Sequence, residues 1–365
     1  MIISIFASIW SQNLWDELIL KNEIEILKLK YSKLKNISEN EIFFKVFTYD
    51  LKDNFYKEKN VEYLEYFPIW IKQIKNIFKN IFNFYLFIKI VIKSDLIVIW
   101  WGWIIYDNEI QSVWNPLKQL LFRSKIFKFF NKKVEFFRVW INIKNKDNLK
   151  LIKKIFSVSD EISVRDEYSY DLLKKLNFNN IKLLDDPVFY DNKTNLTNYN
   201  SIFNSFYLQE KEIQNNLKWY LKVDNLNVQN IKNIIEKNNI ALSWKKIWLS
   251  LRNQNRENYT KNIIEIINYF LKNNCEIILI PHSFHKTDKK ANDYIFLNKI
   301  KNNINSNKIK ICNNLDESYK IYTNKIIDLN LASRLHSIIL SQVYNIGFIA
   351  ISYSTKTDEV IKKLK

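Results

Sequence analysis

The residues best suited to chemistry stand in a few short runs. Ser333-Arg-Leu-His-Ser337 sets Arg334 two positions before His336, and Lys356 follows in Ser352-Tyr-Ser-Thr-Lys-Thr-Asp358. A guanidinium grips phosphate or carboxylate with a planar fork, and an ammonium does so as a point charge. An imidazole can give up a proton near neutral pH. The chain has only 3 His, so one beside an Arg at a strand-to-helix junction is a candidate general acid. Its bland alternative is a packed core imidazole. Val164-Arg-Asp166, with Ser169, puts Arg165 at another strand end. There a bidentate grip on an anion competes with an ordinary salt bridge, and Asp166 and Ser169 can simply cap a helix. Arg252 in Ser250-Leu-Arg-Asn253 ends a strand as well. Pro281-His-Ser-Phe-His285, with Asp288, offers His282 and His285 as a pair. Two His with one carboxylate and no nearby Cys make a poor zinc set. Substrate contact or structure is the better reading, and no metal or other cofactor is expected.

Two further runs read as ligand-cradling turns whose glycines are missing. Ser8-Ile-Trp-Ser-Gln-Asn-Leu-Trp-Asp-Glu17 follows an apolar run and opens a helix at Asp16. Asp16 there either meets a ligand or caps the helix. Trp100-Trp-Gly-Trp-Ile-Ile-Tyr-Asp107 follows Leu96-Ile-Val-Ile99, and Asp107 could accept a proton from a sugar hydroxyl or merely be solvated. The chain holds 2 Gly and 11 Trp, where ordinary usage would give roughly 25 Gly. A low-GC genome explains scarce Gly but not abundant Trp. Turns after strands want small residues that tolerate positive φ, and indoles there would clash. The economical account is that UGA codons are written here as Trp but read as Gly by the source organism. It covers Trp10, Trp15, Trp100, Trp101, Trp103, Trp114, Trp140, Trp244 and Trp248, while Trp70 and Trp219 sit in aromatic, helix-like surroundings that suit genuine Trp.

These runs need strands and helices to hold them. Short apolar runs alternate with helical patterns along the chain, which argues for α/β architecture with parallel sheets. Strands are expected at Ile2–Ile9, Ile42–Tyr49, Leu96–Ile99, Val134–Val139, Glu161–Val164 and Ile181–Leu184. An amphipathic helix fits Ile69–Lys93, and its aromatic stripe is expected to face the core. A second series starts with the strand Lys246–Leu251 and ends with the strand Phe348–Ser352. Two doubly wound, Rossmann-like domains follow, residues 1–190 and 244–352. Residues 191–243, rich in Asn, read as a linker region, and 353–365 as a C-terminal helix. Two such domains facing a cleft would place ligands at the strand carboxyl ends.

Composition bounds the rest. The apolar fraction of 47% supports a sizeable core, and 25 Phe with 20 Tyr exclude a disordered chain. Two cysteines, Cys275 and Cys312, make no disulfide framework. The start of the chain lacks the basic region and small-residue cleavage site of a signal peptide. Lysines interrupt the apolar stretch 67–100 before it reaches the ~18 residues a membrane span requires. A soluble cytoplasmic protein is expected, with a place at the inner membrane face open to it. The formal net charge of +18 fits an AT-rich genome better than a nucleic-acid footprint, because the lysines are scattered.

Taken together, the runs resemble the polysaccharide pyruvyl transferase family. The similarity covers most of the chain. It rests on the Ser11–Glu17 turn, the turn ending at Asp107, Val164-Arg-Asp166 with Ser169, Asp186-Pro187, Ser250–Arg252, Ile280-Pro-His282, Arg334-Leu-His336 and Lys356. No one of these is decisive; their order and spacing are specific. Trp at the glycine positions departs from the family, and the codon reading removes the departure. The resemblance implies a glycosyltransferase-B-like pair of α/β domains, 1–190 on the acceptor side and 244–352 on the donor side. It implies phosphoenolpyruvate as donor, held by Arg165, Arg334 and Lys356, with Asp16, Arg252 and His282 as further substrate contacts. It implies His336 as the acid that protonates the methylene carbon, and Asp107 as an aid to the attacking sugar hydroxyl. The product is a cyclic ketal on a glycan or lipid-linked sugar, with contact to the membrane periphery as a further possibility. A nucleotide-sugar glycosyltransferase of the same fold, or a silent glycan-binding relative, is the alternative.

Overall fold

The computed structural model describes residues 1–7, 12–48, 51, 56–65, 77–100, 105, 116–143, 145–190, 218–240, 242, 245–254, 258–285, 289–304, 306–324 and 328–363. The chain forms two compact units. One comprises Met1–Ser11 and Asp16–Pro187, the other Gln12–Trp15 and Val188–Lys365.

The first unit is built on a parallel sheet of seven strands: β1 (Ile2–Phe6), β2 (Phe43–Thr48), β3 (Val61–Glu65), β4 (Leu96–Trp100), β5 (Val134–Val139), β6 (Glu161–Val164) and β7 (Ile181–Leu183). Their order across the sheet is β3-β2-β1-β4-β5-β6-β7. Strand order reverses between β1 and β4, the kind of point at which open α/β sheets take ligands, beyond the strand carboxyl ends. The runs singled out in the sequence before Asp16 and Asp107 follow β1 and β4 along the chain, and residues 8–11, 101–104 and 106–107 lie outside the described residues. β1, β4 and β5 are buried nearly throughout, as apolar strands covered on both faces must be. The helices are α1 (Leu14–Lys35), α2 (Ile77–Lys93), α3 (Pro116–Phe129), α4 (Lys146–Phe156) and α5 (Glu167–Lys175). Phe6, Phe47, Phe87 and Phe127 pack ring to ring between sheet and helices.

The aromatic stripe of α2 does not all face the core. Phe87, Ile90 and Val91 do, while Phe78, Ile81, Phe82 and Tyr85 are exposed and Asn80 and Asn83 are buried. Residues 69–76, expected to begin this helix, lie outside the described residues.

The second unit repeats the design with β8 (Lys218–Lys222), β9 (Lys246–Ser250), β10 (Glu276–Leu279), β11 (Ile309–Ile311), β12 (Leu329–Ala332) and β13 (Phe348–Ser352). The order is β11-β10-β9-β12-β13-β8, all pairs parallel. The reversal falls between β9 and β12. Its helices are α6 (Val228–Lys237), α7 (Tyr259–Lys272), α8 (Asp293–Asn302), α9 (Leu315–Thr323), α10 (Leu335–Val343) and α11 (Thr355–Lys363). β8 and α6 fall inside the stretch read from sequence as linker. β8 pairs with β13 along Phe348–Ser352, and Ile231 and Ile235 of α6 are buried. An edge strand with polar neighbours carries little alternation, which is why the sequence hid it.

A chain this poor in glycine ends its helices with asparagine. Asn177, Asn239, Asn274 and Asn345 follow α5, α6, α7 and α10 in the left-handed region, φ 53° to 68°. The next residue's N–H then reaches back into the last turn, as from Phe178 to Leu173 and from Ile346 to Ser341. Asn tolerates this conformation better than any residue but Gly.

Candidate functional site

In the second unit the reversal point carries the expected cluster. The N–H groups of Ser333 and Arg334 donate to the carbonyl of Ser250 at 3.0 and 3.3 Å, and the Arg252 N–H donates to Ser333 Oγ at 2.9 Å. β9 and β12 are thereby tied at their carboxyl ends, where Arg252 and Arg334 emerge. Arg334 is the N-cap residue of α10 and makes no side-chain cap. Its guanidinium turns instead to Asp293, which is 2% exposed. Nε donates to one carboxylate oxygen at 2.8 Å and Nη2 to the other. Burial weighs against the Arg334 charge, yet Asp293 holds its pKa above the ordinary value. Burial raises the pKa of Asp293 above the ordinary carboxylate value, against the pull of Arg334, the His282 N–H and, last, Arg252, whose guanidinium lies over the Tyr353 ring.

Behind this pair runs a buried polar network. The His282 N–H donates to Asp293 at 3.2 Å. The His282 ring meets the Tyr322 hydroxyl at 2.8 Å through Nε2, Tyr322 meets Ser337 at 2.6 Å, and Asn330 donates to both Ser337 and Ser341. His282 is 1% exposed, and burial followed by the Arg334 charge pulls its pKa down to about 3. It is therefore neutral at physiological pH.

His336 stands at the first turn of α10, half-buried. The segment Gln12–Trp15 reaches it by a backbone strap. Asn13 bridges to Ser283, the Leu14 N–H donates to the His282 carbonyl at 3.0 Å, and the Phe284 N–H donates to the Gln12 carbonyl at 2.9 Å. The strap lays the Trp15 indole flat on the His336 imidazole, centroids 3.5 Å apart.

The first unit holds the other expected cation. Arg165 donates to Asp186 at 2.6 Å, its side chain 6% exposed. Burial pulls its pKa below the ordinary value while Asp186, Asp166 and Asp16 pull it back. Asp16 is itself buried in the first turn of α1. It is not the cap: Asn13 takes the Trp15 N–H at 3.2 Å. Asp166 caps α5, accepting from the N–H and hydroxyl of Ser169 at 2.8 and 2.6 Å. Ser169 in turn accepts the N–H of Ile141 at 2.9 Å.

The structure thus joins Arg252, Arg334 and His282 in one unit, with His336 at the same junction, and Arg165 with Asp16 in the other. Asp107 lies outside the described residues. Lys356 falls in α11, its side chain outside the described residues. Sequence reasoning missed Asp293, whose only signal was Asn292-Asp293 as a helix start. It also missed Arg138, a buried cation at a β5 bulge with φ 50° that donates to the Asp185 carbonyl at 2.7 Å. Among the described tryptophans, Trp15, Trp100 and Trp248 are buried. None of the five (Trp15, Trp100, Trp140, Trp219, Trp248) is among the positive-φ residues. The case for glycine at Trp15, Trp100, Trp140 and Trp248 therefore rests on space rather than on backbone. Trp248 in particular is an interior strand position, paired in register with Ile278 and Asn330.

Two doubly wound parallel sheets, with a cationic cluster at the reversal point of the second, define a glycosyltransferase-B-like α/β protein. The family model of polysaccharide pyruvyl transferase matches residues 16–355. The chain belongs to that family. No curated protein matches it. Among solved structures it is similar to a UDP-GlcNAc 2-epimerase from Methanocaldococcus jannaschii, at 14% identity and TM-score 0.52, over 99% of this chain and 87% of that one. It is also similar to a protein described as a UDP-N-acetylglucosamine 2-epimerase from Listeria monocytogenes, at 11% identity and TM-score 0.53, over 99% of this chain and 81% of that one. Likeness at this identity concerns the fold alone. No helix among the described residues is long and apolar enough to cross a membrane.

Proposed function

We propose that the chain transfers pyruvate from phosphoenolpyruvate to two hydroxyls of a glycan or lipid-linked sugar, forming a cyclic ketal. The observation that carries this reading is the family match across residues 16–355, within which Arg334 and His336 fall at the reversal point of a doubly wound sheet. Phosphate and carboxylate of the donor are gripped by Arg334, Arg165 and Lys356, with Arg252 and Asp16 as further contacts. His336 gives a proton to the methylene carbon, which becomes the methyl group. C2 turns electron-poor and accepts the first sugar hydroxyl, whose proton passes to a base, for which Asp107 is the candidate. Phosphate leaves with the C2–O bond electrons, and the second hydroxyl closes the ketal, its proton passing to the departing phosphate. His282, buried and bonded to Tyr322, acts here as a positioning residue behind Arg334 rather than as a substrate contact.

The donor is tested by following phosphate release from phosphoenolpyruvate with sugar acceptors, against a panel of nucleotide-sugars. Release only from phosphoenolpyruvate supports the reading; transfer from a nucleotide-sugar overturns it. General acid catalysis contributes ~10²–10⁴-fold, so His336→Ala lowers kcat by about that factor while calorimetric donor affinity stays near normal. His336→Gln is equally slow, because an amide cannot supply the proton. A glutamine variant with most of kcat restored reassigns the acid.

A further inference from the structure

The outer side of α2 is built the wrong way round for water. Phe78 is 84% exposed and Phe82 62%, with Ile81 and Tyr85 beside them, while Asn80 and Asn83 are 6% and 7% exposed. Neither polar atom of the Asn80 side chain has a hydrogen-bond partner among the described residues. The exposed residues recur at i, i+3, i+4 and i+7, so they form one stripe along the helix. Water disfavours each exposed ring, and burial disfavours the unpaired Asn80 amide. Rotating the helix about its axis would relieve both, yet Phe87, Ile90 and Val91 fix the inner face against the sheet. On α3, whose Phe127 meets Phe87 of α2 in the core, Phe129 is likewise 82% exposed.

Charge selects the occupant. Neither α2 nor α3 contains an Asp or Glu, while Lys89 and Lys93 on α2 and Lys125 and Lys128 on α3 are exposed; Lys79, also exposed, is paired with Glu65 of β3 at 2.7 Å. A second copy of the chain would bring the same lysines against these. An interfacial helix wants this composition: aromatic and aliphatic groups to enter the acyl boundary, and lysines for the headgroups. We infer that the outer face of α2 seats the protein on an anionic lipid bilayer surface. The inference is independent of the donor chemistry.

The test is flotation of the full chain with vesicles of phosphatidylcholine containing a quarter phosphatidylglycerol, and with vesicles of phosphatidylcholine alone. The chain is expected to float with the anionic vesicles, much less with the neutral ones, and less again at high salt. The variant Phe78→Ser/Phe82→Ser, which touches exposed rings only, is expected to keep its circular dichroism and thermal melt and to lose binding by about tenfold or more, as the loss of two inserted rings implies. Lys89→Glu/Lys93→Glu is expected to weaken binding to anionic vesicles alone. Absence of binding, or unchanged binding by the serine variant, overturns the inference. So does a concentration-dependent dimer in analytical ultracentrifugation that the serine variant abolishes, since that assigns the face to a second copy.

Discussion

The indole of Trp15 lies flat on the imidazole of His336, ring centroids 3.5 Å apart and planes 8° from parallel. Trp15 is 1% exposed, and the strap that carries it is fixed by backbone bonds to residues 282–284. A proton donor under an indole has that ring face closed to a substrate. A glycine at 15 would leave the strap in place and free the face.

If UGA is read as glycine in the source organism, peptides from its cells carry Gly at Trp15, Trp100, Trp101 and Trp103. Mass spectrometry decides this residue by residue, and Trp at all four sinks the codon reading. In protein produced with Trp, Trp15→Gly should let diethyl pyrocarbonate modify His336 faster than in the parent. An unchanged rate means that Trp15 is not the cover.

Arg334 and Asp293 form a buried pair, so losing one partner strands the other. Arg334→Ala should destabilise by ~3–5 kcal/mol in denaturant unfolding. Arg334→Ala/Asp293→Ala should recover much of that loss, because no charge is left alone. Donor KM separates structure from function. If Arg334 also grips the donor, KM stays raised roughly ten- to a hundredfold in the double variant, the loss of a charge-assisted bond. A normal KM there leaves Arg334 a purely structural role.

His282 is held neutral down to about pH 3, from an ordinary value of 6.5, by burial and by Arg334. Its folded-state pKa is depressed, so below 6.5 the unfolded chain takes up a proton that the folded chain refuses. Stability should therefore fall with pH through that window, by at most about 1.4 kcal/mol per unit from this group. His282→Asn should show a shallower acid slope than the parent in thermal melts between pH 6.5 and pH 4. Parallel slopes mean that other groups govern acid unfolding.

Glu23 is fully buried and its carboxylate oxygens have no hydrogen-bond partner among the described residues. Burial raises its pKa well above the ordinary carboxylate value, Arg138 working against the rise and Glu135 with it. A raised carboxyl pKa favours folding where the group is protonated, and the benefit is lost as pH rises. Glu23→Gln should thus raise the melting temperature more at pH 8 than at pH 5. A larger gain at pH 5 overturns this assignment.

Much of the architecture was legible locally. Apolar runs such as Leu96–Ile99 and Val134–Val139 are too short and too buried to be anything but strands of a covered parallel sheet, and the helical periods between them supply the crossovers. Arg334, His336 and Arg252 were legible as candidates because strand ends at a sheet reversal collect ligand-facing groups. What the sequence could not contain is pairing across distance. Asp293 meets Arg334 over 41 residues, and an ion pair leaves no spacing signature. Gln12–Trp15 leaves the first unit for the second because its backbone donors and acceptors find residues 282–284, which no periodicity announces. β8 became an edge strand because β13 had an open side. The stripe of α2 reads as core in sequence, since periodicity shows that a helix has an apolar face but not how many neighbours will cover it. Only the packed sheet, which takes Phe87, Ile90 and Val91 and leaves Phe78 and Phe82 outside, decided that.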